Sequence, residues 1–145
     1  MKLAVPQSTI SWEAAHTAVE AAVQEATRLD LRINVAVTDG SGNLVAFLRM
    51  PSAFPQSIDI AIEKAHTAAG FGFPTADWMK VFGDNEAMKL GFSAQPRLII
   101  FGGGLPIRSN GELIGGIGVS GASEEQDAAC AHAGLNAIGA DQPPA

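Results

Sequence analysis

The densest run of reactive side chains is Asp59-Ile60-Ala61-Ile62-Glu63-Lys64-Ala65-His66-Thr67. On a helix, Glu63 and His66 stand three residues apart and share a face, as do Lys64 and Thr67. If that face meets a cavity, His66 or Glu63 can exchange a proton with a substrate, and Lys64 can hold its carboxylate. Without a cavity the same residues make an ordinary solvated face. Arg49, near the end of an alternating apolar run, can clamp a carboxylate through two parallel hydrogen bonds or make a surface ion pair.

Two glycine runs raise a second possibility. Gly116-Ile117-Gly118-Val119-Ser120-Gly121 spells G-x-G-x-x-G, the fingerprint of a dinucleotide-binding turn. That motif needs a parallel strand, a turn, and a helix whose positive end meets pyrophosphate. Here strand formers lie among the glycines, and the next helix opens with Glu124, Glu125 and Asp127, which repel a phosphate. These glycines are therefore expected inside a strand, thinned so that another element can lie close. The earlier run, Phe101-Gly102-Gly103-Gly104-Leu105-Pro106-Ile107, leaves backbone N–H groups unshielded before Pro106 restrains the exit. It reads either as a structural turn or as a loop that approaches a flat or anionic ligand.

Other combinations carry less. His16, His66 and His132 fall on three different expected helices, and no His pair has metal-type i, i+4 spacing. Cys130 and His132, two apart on a helix, point away from each other, so Cys130 is read as a small buried filler. No metal site is expected.

The elements that must position these groups follow from periodicity. Ser11 to Asp30 reads as a helix, with Ser11 as N-cap and Ala15, Val19, Ala22, Val23 and Ala26 on one apolar face. Ile33 to Met50 reads as a hairpin turning at Asp39-Gly40-Ser41-Gly42-Asn43. Ser57 is expected to cap a second helix running to about Ala69, with Ile58, Ile62, Ala65 and Ala69 towards the core. Residues 70 to 96 are irregular, with short helical turns near Thr75 and from Asp84 to Gly91, and suit a wall or lid. Leu98–Phe101, Leu105–Arg108 and Leu113–Ser120 read as strands, and a last helix starts after Ser123. The tail from about residue 140 is expected to fray. Neighbouring strands joined by tight turns imply an α+β domain with an antiparallel sheet, spanning residues 1 to 145 as one unit.

Composition narrows the partners. Nine Lys and Arg against fifteen Asp and Glu, for a net charge of −6, disfavour nucleic acid. No run approaches the ~20 apolar residues of a membrane span, no signal peptide is visible at the start, and the single cysteine fits a reduced, cytoplasmic setting. The apolar content is rich in small side chains, which makes burial between subunits a natural supplement.

Read together, INVAVTDGSGNLVAFLRM, DIAIEKAHTAAGFGFPT, FGGGLPI and GELIGGIGVSGASEEQDAACAHAG resemble the GlcG/HbpS family, which includes the C-terminal module of PduO-type proteins. The resemblance spans about Ile33 to Gly134, and the alanine-rich first helix fits it too. It implies a profilin-like fold, a five-stranded antiparallel sheet flanked by helices, in a homo-oligomer of tetramer-to-octamer size. It also implies association with haem or with small-molecule metabolism. Carried over, the ligand region comprises Arg49, Met50, Lys64, Thr67, Gly102, Gly103, Gly104 and Pro106. Met50, Met79 and Met88 carry thioethers able to reach a haem iron, with core filling as the competing use. Two departures stand out. The family's Arg-Met often continues Asp-Gly-Ala, where this chain has Pro51-Ser52-Ala53, and its Lys-Ala-Arg-Thr becomes Lys64-Ala65-His66-Thr67. The D-x-x-E iron motif of some haem-binding relatives is absent from the sequence, so that function is not carried over.

Two functions remain open on these residues. One is a small-molecule-binding protein holding haem or an anionic or aromatic metabolite. The other is a cofactor-independent lyase or isomerase in which Arg49 or Lys64 anchors a carboxylate and His66 or Glu63 moves a proton.

Overall fold

The computed structural model describes residues 1–143. Helix α1 (Trp12–Arg28) leads to strands β1 (Asn34–Asp39) and β2 (Leu44–Arg49), then α2 (Ser57–Phe71). A short 3-10 turn (Thr75–Asp77), α3 (Trp78–Phe82) and α4 (Glu86–Ser93) precede β3 (Gly104–Ser109), β4 (Glu112–Ser120) and α5 (Glu124–Ala137). The strands form an antiparallel sheet in the order β2-β1-β4-β3.

Helix starts follow local capping chemistry. The Ser11 hydroxyl accepts the Ala14 N–H, and Ser123 forms a reciprocal capping box with Gln126. Asn85 caps α4 through the Met88 N–H. Ser57 does not cap α2: the cap position is Gln56, which makes no side-chain bond, and Ser57 is buried as the first helical residue.

One face of the sheet carries the main core. Ile33, Val35, Val37, Leu105, Ile107, Ile117 and Val119 pack there against Ala15, Ala18, Val19 and Ala22 of α1 and Cys130, Ala131 and Leu135 of α5. Burial pushes the Cys130 thiol up to about 11. Folded protein at pH 8 is therefore expected to react with a thiol reagent at least tenfold more slowly than the urea-unfolded chain. Equal labelling rates would show that Cys130 is not enclosed.

The other face is built for contact with α2. Across the sheet, Phe47, Ala36, Gly118 and Gly104 stand opposite one another in register, so side-chain bulk shrinks from β2 towards β3. A Cβ on Gly118 would collide with the Ala61 carbonyl oxygen and lie 2.5 Å from the Ala65 nitrogen, and one on Gly116 would lie 2.9 Å from the Ala69 nitrogen. The glycines of the G-x-G-x-x-G spelling thus seat a helix on a strand. This close approach also corrects the expected stripe of α2. Ala61, Lys64, Ala65 and Ala68 are buried, while Ile58 and Ile62 sit half-buried at the sides, because a branched side chain has no room above glycine.

The sheet has four strands rather than the expected five. Leu98–Phe101 is irregular chain, following Pro96 and running into three glycines. Its backbone bonds sideways to α2: the Thr67 hydroxyl accepts the Ile99 N–H and donates to the Arg97 carbonyl, each at 3.1 Å. Residues 70 to 96 form a satellite cluster in which Trp78 meets Phe71, Phe73, Phe82 and Phe92, with ring centroids 4.7 to 5.4 Å away. Met79, Val81 and Leu90 remain exposed around it. The tail, expected to fray from about residue 140, is tied back as far as Asp141. Its N–H donates to the Arg108 carbonyl, and its carboxylate accepts the Asn110 and Gly111 N–H groups. For residues 144 and 145 that expectation lies outside the described residues. Among the described residues, no helix is long and apolar enough to cross a membrane.

Candidate functional site

Helix α2 carries four of the anticipated residues, and the fold sends them to different surroundings. Glu63 and His66 are half-buried. The His66 Nδ1 lies 3.0 Å from the Gly42 carbonyl oxygen in the β1–β2 turn. A carbonyl only accepts, so the proton resides on Nδ1, and Nε2 of the neutral ring bears the lone pair. Gly42 has φ of +84°, and a Cβ there would stand 2.6 Å from that Nδ1, so the contact requires glycine.

The consecutive residues Arg49 and Met50 separate. Arg49 is exposed and donates to the Ala53 carbonyl at 3.0 Å, whereas Met50 is buried in the main core. The core-filling use of Met50 is the one its position serves. Arg49 shares a sheet row with Asn34 and Ser120. Asn34 donates to the Phe54 carbonyl, and its buried Oδ1 has no partner among the described residues.

Lys64 is enclosed, with 1% of its surface exposed. Its ammonium donates to the Val119 carbonyl at 2.8 Å and to the Asp127 carboxylate at 3.1 Å, and sits 5.2 Å from the Phe101 ring centroid. Burial pulls the Lys64 pKa below the usual ammonium range and pushes Asp127 above the usual carboxylate range; their mutual attraction opposes both shifts. Gly103 lies over this pair, where a Cβ would stand 2.6 Å from the Lys64 Nζ. The flanking N–H groups are also engaged: Gly102 donates to Glu124 at 2.6 Å and Gly104 to the Thr75 hydroxyl at 2.9 Å. Lys64 and the Gly102 and Gly104 N–H groups therefore form a clasp joining α2, β4 and α5 to the glycine loop, with these donors turned inward, while Thr67 ties α2 to the chain just before that loop. Pro106 lines a cleft of about 400 Å³ together with Phe73, Pro74, Asp77 and Arg108.

Sequence reasoning missed three participants. Asp127 was read only as an acid in the first turn of α5, although its spacing to Cys130, Ala131 and Gly134 places it on the apolar stripe. Gly42 was read as part of a turn, and no local pattern pairs it with His66. Asn34 lies in the first strand of the hairpin, where it alternates with Ile33, Val35 and Val37 and carries no local mark of a site.

The chain matches the family model described as haem degrading protein HbpS-like over residues 10–136. It belongs to the HbpS-like family. A 15.0 kDa protein encoded between dhaT and dhaS in Citrobacter freundii is 35% identical to this HbpS-like chain over 130 residues, covering 89% of it and 92% of the relative. The corrinoid adenosyltransferase PduO of the same organism is 31% identical over 134 residues, covering 92% of the HbpS-like chain but 40% of PduO. A crystal structure titled as a PduOC–haem complex superposes with a TM-score of 0.85 at 32% identity, covering 94% of this HbpS-like chain and 99% of the other.

Proposed function

We propose that this protein binds a small, flat, anionic ligand of the haem type. The observation that carries the reading is the close likeness, in fold and sequence, to the PduOC structure described as a haem complex. Two side chains at opposite ends of the β1–β2 hairpin have chemistry suited to parts of such a group. One is the His66 ring, held at the turn by the Gly42 carbonyl; the other is the exposed Arg49 guanidinium, able to meet a carboxylate. Bound haem would supply an iron centre able to take axial ligands and exchange electrons. Lys64, Thr67 and the glycine loop serve this reading as the frame that holds α2 in place. Of the two cations that the cofactor-independent enzyme could use as its anchor, Lys64 is already paired with Asp127, which leaves Arg49, and no comparison favours that reading.

Hemin titrated into the purified protein is expected to shift its Soret band and saturate at a fixed stoichiometry. A featureless titration identical to hemin in buffer would refute the reading. The exposed Met79, Val81 and Leu90 favour a homo-oligomer, checked by light scattering of the eluting peak; a strictly monomeric mass would overturn that part. The enclosed single cysteine suits a cytoplasmic setting, which fractionation of the source cells tests.

A further inference from the structure

We propose that the cleft between the end of α2, the edge strand β3 and the segment around Asp141 binds a free aromatic amino acid. Arg108 meets the carboxylate of this zwitterion and Asp77 its ammonium. The proposal does not rest on the haem reading, since β3 lies at the opposite edge of the sheet from β2, which carries Arg49.

Arg108 is the anchor. Its guanidinium donates to the Gly72 carbonyl at 3.0 Å and to the Gly111 carbonyl at 3.2 Å. These backbone oxygens fix the plane of the fork without neutralising its charge, and Arg108 forms no ion pair among the described residues. Its remaining N–H groups are left for a carboxylate. Gly72 closes α2 with φ of +77°, and a Cβ there would stand 2.8 Å from the Arg108 Nη2, so a side chain at this position would displace the guanidinium.

The opposite charge lines the same cleft. Asp77 makes no capping bond to α3, and its ion pair with Lys80, at 3.6 Å, is solvent-exposed and therefore weak. Asp141 lines the cleft too, but its two oxygens accept the Asn110 and Gly111 N–H groups. The apolar lining is Phe73, Pro74 and Pro106. The Phe73 ring stands edge-on to Trp78 with centroids 4.8 Å apart, so a flat ligand finds a ring already held in place. A volume of about 400 Å³ is within the range of small-molecule sites.

Charge selects the ligand class. A phosphate or a dicarboxylate would bring its second charge against Asp77 or Asp141, and a simple amine would leave Arg108 unmatched. A zwitterion answers both signs. Two other cavities lack this pairing: the one along α4 is lined by no charged residue, and the one at the start of α5 has only the acids Glu124 and Glu125.

The test is isothermal titration calorimetry of the full chain with phenylalanine, with phenylpropionate, which lacks the ammonium, and with phenethylamine, which lacks the carboxylate. Wild type should bind phenylalanine saturably and each of the other probes at least tenfold more weakly. Asp77→Asn should weaken phenylalanine about tenfold while binding phenylpropionate no worse than wild type does. Arg108→Gln should weaken phenylalanine at least tenfold, and Arg108→Lys, which keeps the charge without the fork, should recover part of the loss. Arg32→Gln, at an exposed cation outside the cleft, should bind as wild type does. Far-UV circular dichroism confirms that each variant is folded. No saturable binding of phenylalanine by wild type at millimolar concentration would overturn the proposal. Equal affinity for phenylalanine and phenylpropionate would overturn the zwitterion, and full affinity in folded Asp77→Asn or Arg108→Gln would overturn the site.

Discussion

Replacing Gly118 by alanine is expected to cost about 4 kcal/mol or more, placing it among the most damaging single substitutions. The added methyl would collide with the Ala61 carbonyl oxygen and lie 2.5 Å from the Ala65 nitrogen and 2.9 Å from the Lys64 Cβ. Two of these three neighbours are helix backbone, so no rotamer change relieves them; α2 would have to lift from β4. Lifting it would also open the contacts of Ala36 with Ala61 and Ala65 and draw Lys64 away from Asp127. A typical domain holds about 5–15 kcal/mol in total, so the variant should be largely unfolded or aggregated at 37 °C. Urea unfolding followed by circular dichroism measures this. Gly111→Ala, at a glycine with open space around its Cβ position but φ of +82°, is the comparison and should cost only about 1 kcal/mol. Similar losses at the two positions would remove the close-packing explanation.

Lys64→Met should destabilise by about 3–5 kcal/mol at neutral pH. It leaves the buried Asp127 carboxylate with the Ala122 N–H at 3.0 Å but without its cation, and leaves the Val119 carbonyl without the ammonium donor. Adding Asp127→Asn should recover most of the loss, because the amide keeps an acceptor for Ala122 and buries no charge. The pH dependence has a definite sign. Losing its cation raises the folded-state pKa of Asp127 further above the unfolded value of about 3.9. Between those two values the folded state binds the extra proton, so the Lys64→Met penalty should shrink as pH falls from 7 into the acid range. A loss below about 1 kcal/mol, as for exposed pairs, would show that water reaches Lys64. A penalty that grows on acidification would contradict the assigned carboxylate.

Much of the architecture follows from local signals. Ser11 and Ser123 mark helix starts because a hydroxyl there satisfies an amide that the helix leaves unpaired. Asp39 to Asn43 turns the first hairpin, with the Asp39 carboxylate accepting the Ser41 and Asn43 N–H groups. The acids of α5 and the strand formers around Gly116 and Gly118 suffice to reject the dinucleotide reading. Leu98–Phe101 misleads because four apolar residues satisfy a strand pattern whether or not a neighbouring strand is available. Thr67 supplies the alternative partner, for the Ile99 N–H, from 32 residues away.

The candidate site divides in the same way. Residue types and helical spacing single out Glu63, Lys64, His66 and Thr67, and helical periodicity puts Glu63 and His66 on one side of α2. Which side meets water depends on how the helix lies on the sheet, and Ala36, Gly118 and Gly104 settle that from three separate strands. Lys64 is thereby turned inward to Asp127, 63 residues later, and His66 outward to Gly42, 24 residues earlier. The chain alone thus specifies the chemistry that α2 carries and the family to which the pattern belongs. The pairings that make one side chain an enclosed clasp and leave the other an accessible lone pair come only from tertiary contact, because they join residues that no local periodicity relates.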